Sequence, residues 1–301
     1  MSTLLKIAAI VFSSLPRSVA LRIGAFIGYL WFHVLRIRRR TVLANLKAAL
    51  PEHEADHRRI AETAYRHFGR TAVEFLRLRS MSRAELAEMV TVEGMENFES
   101  ARALGKGVIV VTAHLGNFDL LATSRAAAGI PLAVVSRQLH QRGADRFWME
   151  SRRRSGLEIF EDRGAAKQIL RHLKAGRITA LTVDQRTRAS RGGVVLPFMG
   201  CPAWTTTAPA KLSAASGAPV VPVYIVRGKD GRHRAVVEAM MAPPTRGDGA
   251  AVLEMTRKIN EIVGRWVSAH PEQYMWLHRR FVIDIDDTVL SPRPSRAKLH
   301  R

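Results

Sequence analysis

Residues 107–113, Gly-Val-Ile-Val-Val-Thr-Ala, form an unbroken apolar and β-branched run. So short and uniform a run is the mark of a buried strand. His114-Leu115-Gly116-Asn117-Phe118-Asp119 follow directly, and 120–128 then reads as a helix. The polar residues thus stand at a strand-to-helix junction, the edge where open α/β sheets carry their chemistry. His114 closes the strand, Asp119 opens the helix, and the Gly-Asn turn can fold the carboxylate back onto the imidazole. Such a pair holds one ring nitrogen and leaves the other as a general base. No serine or cysteine nucleophile adjoins it, so the hydroxyl to be deprotonated is expected on a substrate.

Alternation continues along the chain. Strand-like runs stand at 108–112, 132–136, 178–183, 194–198, 220–226 and 235–239. Helical stretches stand at 120–128, 144–155, 165–175, 206–216 and 252–269. That order predicts an α/β fold with a mostly parallel central sheet flanked by helices. Upstream, 41–90 reads as helical, with Tyr65, Phe68, Ala72, Phe75 and Leu76 at three- and four-residue spacing. Ser82 followed by Glu85 matches a capping box, and 94–104 reads as one more helix. The expected organisation is an N-terminal apolar and basic segment over 1–40, an α/β domain over 41–285, and a basic tail over 286–301, with disorder expected over 291–301.

Charge narrows the partners. There are 47 Lys+Arg against 26 Asp+Glu, a net charge of +21, which calls for an anionic partner. Aromatic content of 7% and the lack of a nucleic-acid-binding motif argue against a nucleic-acid-binding protein, the reading the arginines alone would suggest. Cys201 is the only cysteine, which excludes disulfides within the chain and cysteine-based zinc sites. Near the N-terminus, the apolar stretches 7–15 and 23–35 each fall short of the ~20 residues that a spanning helix needs. Interfacial or hairpin-like embedding is expected instead, and Arg36, Arg38, Arg39 and Arg40 beside it point to the anionic cytoplasmic leaflet.

Other polar residues fall at strand ends. Asp184-Gln185 ends the run 178–183 and meets the same edge as His114, where it could position an acceptor hydroxyl or a phosphate, unless it is a plain polar turn. Arg137 ends 132–136, and Arg152, Arg153 and Arg154 follow on a helix. Guanidinium groups bind phosphate bidentately, so one or two of the triplet could hold a substrate, the rest being a solvated face. His114 with Asp119 and Asp184 could hold a divalent ion, but no second histidine stands at ligand spacing, so no metal is expected. Trp276, His278, Arg279 and Arg280 read as a snorkelling surface cluster.

Taken in order, several blocks resemble the bacterial lipid A biosynthesis acyltransferases, the late acyltransferases of the lysophospholipid acyltransferase superfamily. The blocks are 107–120 (GVIVVTAHLGNFDL), Ser136-Arg137, 152–156, Val183-Asp184-Gln185, 193–204 (GVVLPFMGCPAW), 217–223 (GAPVVPV) and 274–281 (YMWLHRRF). The His-x4-acid spacing marks the superfamily, whereas Asp-Gln and Trp-x-His-Arg-Arg mark this branch. The resemblance implies transfer of a fatty acyl group from acyl carrier protein or coenzyme A to a hydroxyl of an anionic membrane glycolipid, at the cytoplasmic face of the inner membrane. It implies His114 as base and Asp119 as its partner, with substrate-binding roles for Asn117, Arg137, Arg154, Asp184 and Gln185. Backbone N–H groups around Gly116 and Asn117 are the expected oxyanion donors. The acyl thioester is a co-substrate, and no further cofactor is expected. A phosphatidylinositol mannoside would suit the same blocks as acceptor, and a hydrolase using water would suit the same pair.

Overall fold

Two short helices, α1 (Ser2–Ser14) and α2 (Arg17–Leu30), open the chain in a computed structural model that describes residues 2–138, 141–162 and 164–282. The tail expected over 286–301 lies outside the described residues. A π-helical turn, Trp31–Leu35, prolongs α2, so that 17–35 makes a continuous apolar helix of 19 residues. By length and composition alone it could cross a membrane, which differs from the two shorter stretches expected. After it come α3 (Arg39–Ala49), α4 (His57–Arg77) and α5 (Arg83–Glu88), the last opened by the Ser82–Glu85 capping box.

α2 lies directly on α4. A Cβ added at Gly24 would come within 2.7 Å of the Gly69 carbonyl oxygen, and one at Gly69 within 2.0 Å of that of Gly24. Only hydrogen side chains permit so close an approach of two backbones. The opposite face of the N-terminal helices keeps Leu4, Ile7, Ile10, Ile23, Phe26 and Ile27 exposed.

The α/β part continues with β1 (Val90–Glu93), α6 (Met95–Ala103), β2 (Val108–Thr112), α7 (Phe118–Ala127), β3 (Leu132–Ser136), α8 (Arg142–Arg154) and β4 (Glu158–Glu161). It ends with α9 (Ala165–Lys174), β5 (Ile178–Thr182), β6 (Gly193–Phe198), β7 (Cys201–Thr206), α10 (Ala208–Ser216), β8 (Val220–Arg227), β9 (His233–Val237) and α11 (Gly249–Ala269). Seven strands form one sheet in the order β1-β9-β8-β2-β5-β3-β4. Every pairing in it is parallel except that of β8 with β9, as a mostly parallel sheet requires. β2 is central, and all five of its residues are buried.

The strand expected over 194–198 does not join this sheet. It pairs with β7 as a separate antiparallel hairpin. Met199 and Gly200 at its tip both have positive φ, 49° and 77°, the geometry of the two-residue turn that matches the twist of paired strands. β1 and β4, four residues each at the two sheet edges, carry no long apolar run and were not expected.

Candidate active site

The parallel register of β2 and β5 brings the site together. Thr112 pairs with Thr182, and the Val183 N–H donates to the Thr112 carbonyl at 3.0 Å. His114 and Asp184 each stand two residues past the paired threonines, so their side chains leave neighbouring strands at the same height. His114 Nδ1 lies 2.8 Å from Asp184 Oδ1. The imidazole side chain is 10% exposed and the carboxylate 0%. Burial opposes ionisation of Asp184, but the His114 imidazole and then Arg280 outweigh it and hold the carboxyl well below the usual range. An ionised carboxylate can only accept, so Nδ1 carries a proton, and in the neutral ring Nε2 presents a lone pair.

Gln185, the next residue, faces that lone pair. Its amide Nε2 lies 3.0 Å from His114 Nε2 and 3.1 Å from His278 Nε2, so its two hydrogens suit two unprotonated ring nitrogens. Burial first, and then the neighbouring His114 ring, lower His278 to about 4, which keeps it neutral. The segment that delivers His278 is pinned on both sides. The Met275 N–H donates to the His114 carbonyl at 2.9 Å, and Asn45 Nδ2 donates to the carbonyls of Trp276 and His278 at 2.7 and 2.8 Å.

Trp276 and Arg280 correct the surface cluster expected there. Each is 2% exposed. Arg280 lies over the Phe198 ring at 3.7 Å and donates to Asn260 Oδ1 at 2.7 Å. The sequence carried the relevant signal in the block Trp-x-His-Arg-Arg, but nothing in it marks the histidine as inward-facing.

Asp119 is not the carboxylate on His114. It occupies the first turn of α7, pointing to α8, where its Oδ1 accepts from Arg152 Nε at 2.7 Å and Nη2 at 2.6 Å. Arg152 Nη1 also donates to Ser136 Oγ at 3.0 Å, so this arginine straps the start of α7 to the end of β3. Asp184, two residues past the paired end of β5, is the carboxylate that the β2–β5 register brings beside the imidazole. Phe118, one residue earlier, packs edge-on to the His114 ring with centroids 4.6 Å apart.

The remaining expected site residues disperse. Arg137 is exposed and reaches Asp162 at 3.4 Å. Arg154 is exposed on the last turn of α8, and Arg152 is the inward member of the triplet. Asn117 is fully buried, and both ends of its amide are committed. Oδ1 accepts from the Leu120 N–H at 3.0 Å and caps α7, while Nδ2 donates to Glu74 at 2.8 Å. The Gly116 N–H, an expected oxyanion donor, donates to the Gln273 carbonyl at 3.0 Å. Gly116 itself has φ +59°, and a Cβ there would meet the Ile225 carbonyl oxygen at 2.0 Å. Among the described residues no three His, Cys, Asp or Glu side chains converge to hold a metal ion.

Comparison with known proteins bears on the same blocks. The family described as bacterial lipid A biosynthesis acyltransferase matches residues 2–282. The chain is 28% identical over 272 residues to the lipid A biosynthesis lauroyltransferase of Escherichia coli, covering 89% of this chain and 86% of that one. It is 27% identical over 273 residues to the palmitoleoyltransferase of the same organism, with the same coverage. The phosphatidylinositol mannoside acyltransferase of Mycobacterium tuberculosis is 23% identical over 227 residues, 73% of this chain and 70% of its own.

Proposed function

Because the chain belongs to the bacterial lipid A biosynthesis acyltransferase family, we propose that it moves a fatty acyl chain from an acyl thioester to a hydroxyl of a lipid A precursor. The donor in this reading is acyl carrier protein or coenzyme A. What carries it is Nε2 of His114, the ring nitrogen opposite the one held by a buried carboxylate, with the amide of Gln185 facing it.

The acceptor hydroxyl takes the position of that amide and gives its proton to His114 Nε2 as its oxygen attacks the thioester carbonyl. Asp184 holds the ring in the required tautomer and stabilises the imidazolium. The tetrahedral intermediate collapses by breaking the carbon–sulfur bond, and the thiolate recovers the proton from His114. General-base assistance of this kind contributes ~10² to 10⁴ in rate. Negative charge developing on the carbonyl oxygen faces the first turn of α7, whose N-terminal dipole favours it. The thioester supplies the driving force, so this reading requires neither a metal nor a redox cofactor.

The site of action in this reading is the cytoplasmic face of the inner membrane. Support comes from the exposed Leu4, Ile7, Ile10, Ile23, Phe26 and Ile27 and from the arginines that follow at 36 and 38–40. One face of the helix 17–35 rests on α4, which suits a hairpin lying in the interface. A second reading, transfer to a phosphatidylinositol mannoside, is favoured by the relative of that name.

Mass spectrometry tests these readings. Purified protein is incubated with acyl carrier protein or coenzyme A thioesters and either glycolipid. The expected product is the lipid A precursor heavier by one acyl chain, lost in His114→Ala. A heavier mannoside alone would move the acceptor to the second reading, and free fatty acid alone would make the protein a thioesterase.

A further inference from the structure

Glu74 lies on α4 with its side chain 3% exposed, an anion in the interior. Four residues hold it. Arg227 donates through Nη1 and Nη2 at 2.5 and 2.6 Å, and His233 Nε2 lies 3.1 Å from each oxygen. Asn117 Nδ2 donates to Oε2 at 2.8 Å, and Arg17 Nη2 donates to Oε1 at 3.1 Å. Burial opposes the charge, but the bonds from Arg227 and His233 outweigh it and keep the carboxyl well below its ordinary range. So many charge-assisted bonds to one side chain exceed what α4 needs for packing alone.

Two of those partners belong to functional parts of the molecule. Asn117 caps α7 and ends the turn that begins at His114. Two helical turns before Glu74 on α4, buried His67 faces the backbone of Gly116 in the same turn. Arg17 is the first residue of α2, the helix that presents Ile23, Phe26 and Ile27 outward, and it is tied further to the Gly231 carbonyl at 2.7 Å. α4 therefore lies between the exposed apolar hairpin and the turn behind the base.

We propose that Glu74 is a positioning residue that ties the seating of α2 to the active-site turn, gripping Arg17 with one oxygen and Asn117 with the other. The inference rests on the acyltransferase reading and adds to it a lipid-facing element whose position is felt at His114. When α2 is seated, Arg17 gives Glu74 a second guanidinium partner and Asn117 holds the turn. When α2 is displaced, Glu74 loses a cation and the cap on α7 loosens.

The test uses the full chain in anionic phospholipid vesicles, with hydrogen exchange of the 114–121 peptide and steady-state acyl transfer measured on the same samples. Arg17→Ala is expected to speed exchange of that peptide about tenfold and to lower kcat about tenfold with KM unchanged, the pattern of a misplaced turn. Arg17→Lys restores both. Arg22→Ala, which removes an exposed charge from the same helix, changes neither. Glu74→Gln is expected to resemble Arg17→Ala more strongly, and if it does not fold the Arg17 pair decides. Unchanged exchange or unchanged kcat in Arg17→Ala overturns the coupling. Faster exchange without acyl transfer by the wild type on any acceptor leaves the coupling standing and sinks the proposed function instead.

Discussion

A histidine acts as a base only while one nitrogen is free of its proton, so the residue on the other nitrogen decides the chemistry. Here that residue is Asp184, 2.8 Å from Nδ1 and fully buried. In Asp184→Asn the amide can donate to Nδ1 and turn the lone pair of His114 the wrong way. Its kcat is expected to fall ~10³- to 10⁴-fold with KM little changed. Asp119→Asn acts differently, because it takes the anion from Arg152, which is 12% exposed. The expected result is a loss of about 3 kcal/mol in denaturant unfolding, with residual kcat well above that of Asp184→Asn. Equal kcat losses in the two variants would return Asp119 to the base. The motif around His114 was legible because an apolar run followed by a polar turn is a local pattern. The identity of its carboxylate was not, since two candidates lay 5 and 70 residues away and only the β2–β5 register chooses between them.

At the scale of elements, α4 does more than its amphipathic pattern implies. Its buried stripe includes Ile60, Ala64, Tyr65 and Val73, but also His67 and Glu74. Burial, then the charge of Arg227, lowers His67 to about 3. An unfolded histidine titrates near 6.5. Between those values the unfolded chain binds the proton and the folded chain does not, so stability falls as the pH is lowered. His278, His172 and His270, each lowered first by burial, add in the same direction. Asp184 and Glu74 have depressed values, so their contribution is kept above about pH 4 and lost only below it. Urea titrations at pH 7 and pH 5 are expected to differ by about 2 kcal/mol from His67 alone. Identical midpoints would mean these rings are solvated. The long apolar strands and the capped helices were readable because burial on both faces and local caps leave a sequence signature. Edge strands β1 and β4 and the hairpin at 193–206 were not, because pairing partners and turn geometry decided them. Ala72, expected on the buried face of α4, is exposed, and Glu74 takes the interior instead, a charge no periodicity assigns to a core.

For the whole molecule, the proposed bilayer association would draw on two forces of different range. The net charge of +21 attracts anionic headgroups over about a Debye length and is weakened by salt. Exposed Leu4, Ile7, Ile10 and Phe26 gain only on insertion, about 1.5–3 kcal/mol for each side chain fully buried, and that gain is indifferent to salt. Arg38 joins the two, because it stands in the basic run and donates to the Leu277 carbonyl beside His278 at 3.0 Å. The surface proposed to meet the bilayer therefore lies near His278. Wild-type protein is expected to float with phosphatidylglycerol vesicles at both low and high salt. Phe26→Ser combined with Ile7→Ser removes about 3–6 kcal/mol of insertion, so that binding survives at low salt and is lost at high salt. Flotation of that double variant at high salt would show that these residues do not enter the bilayer.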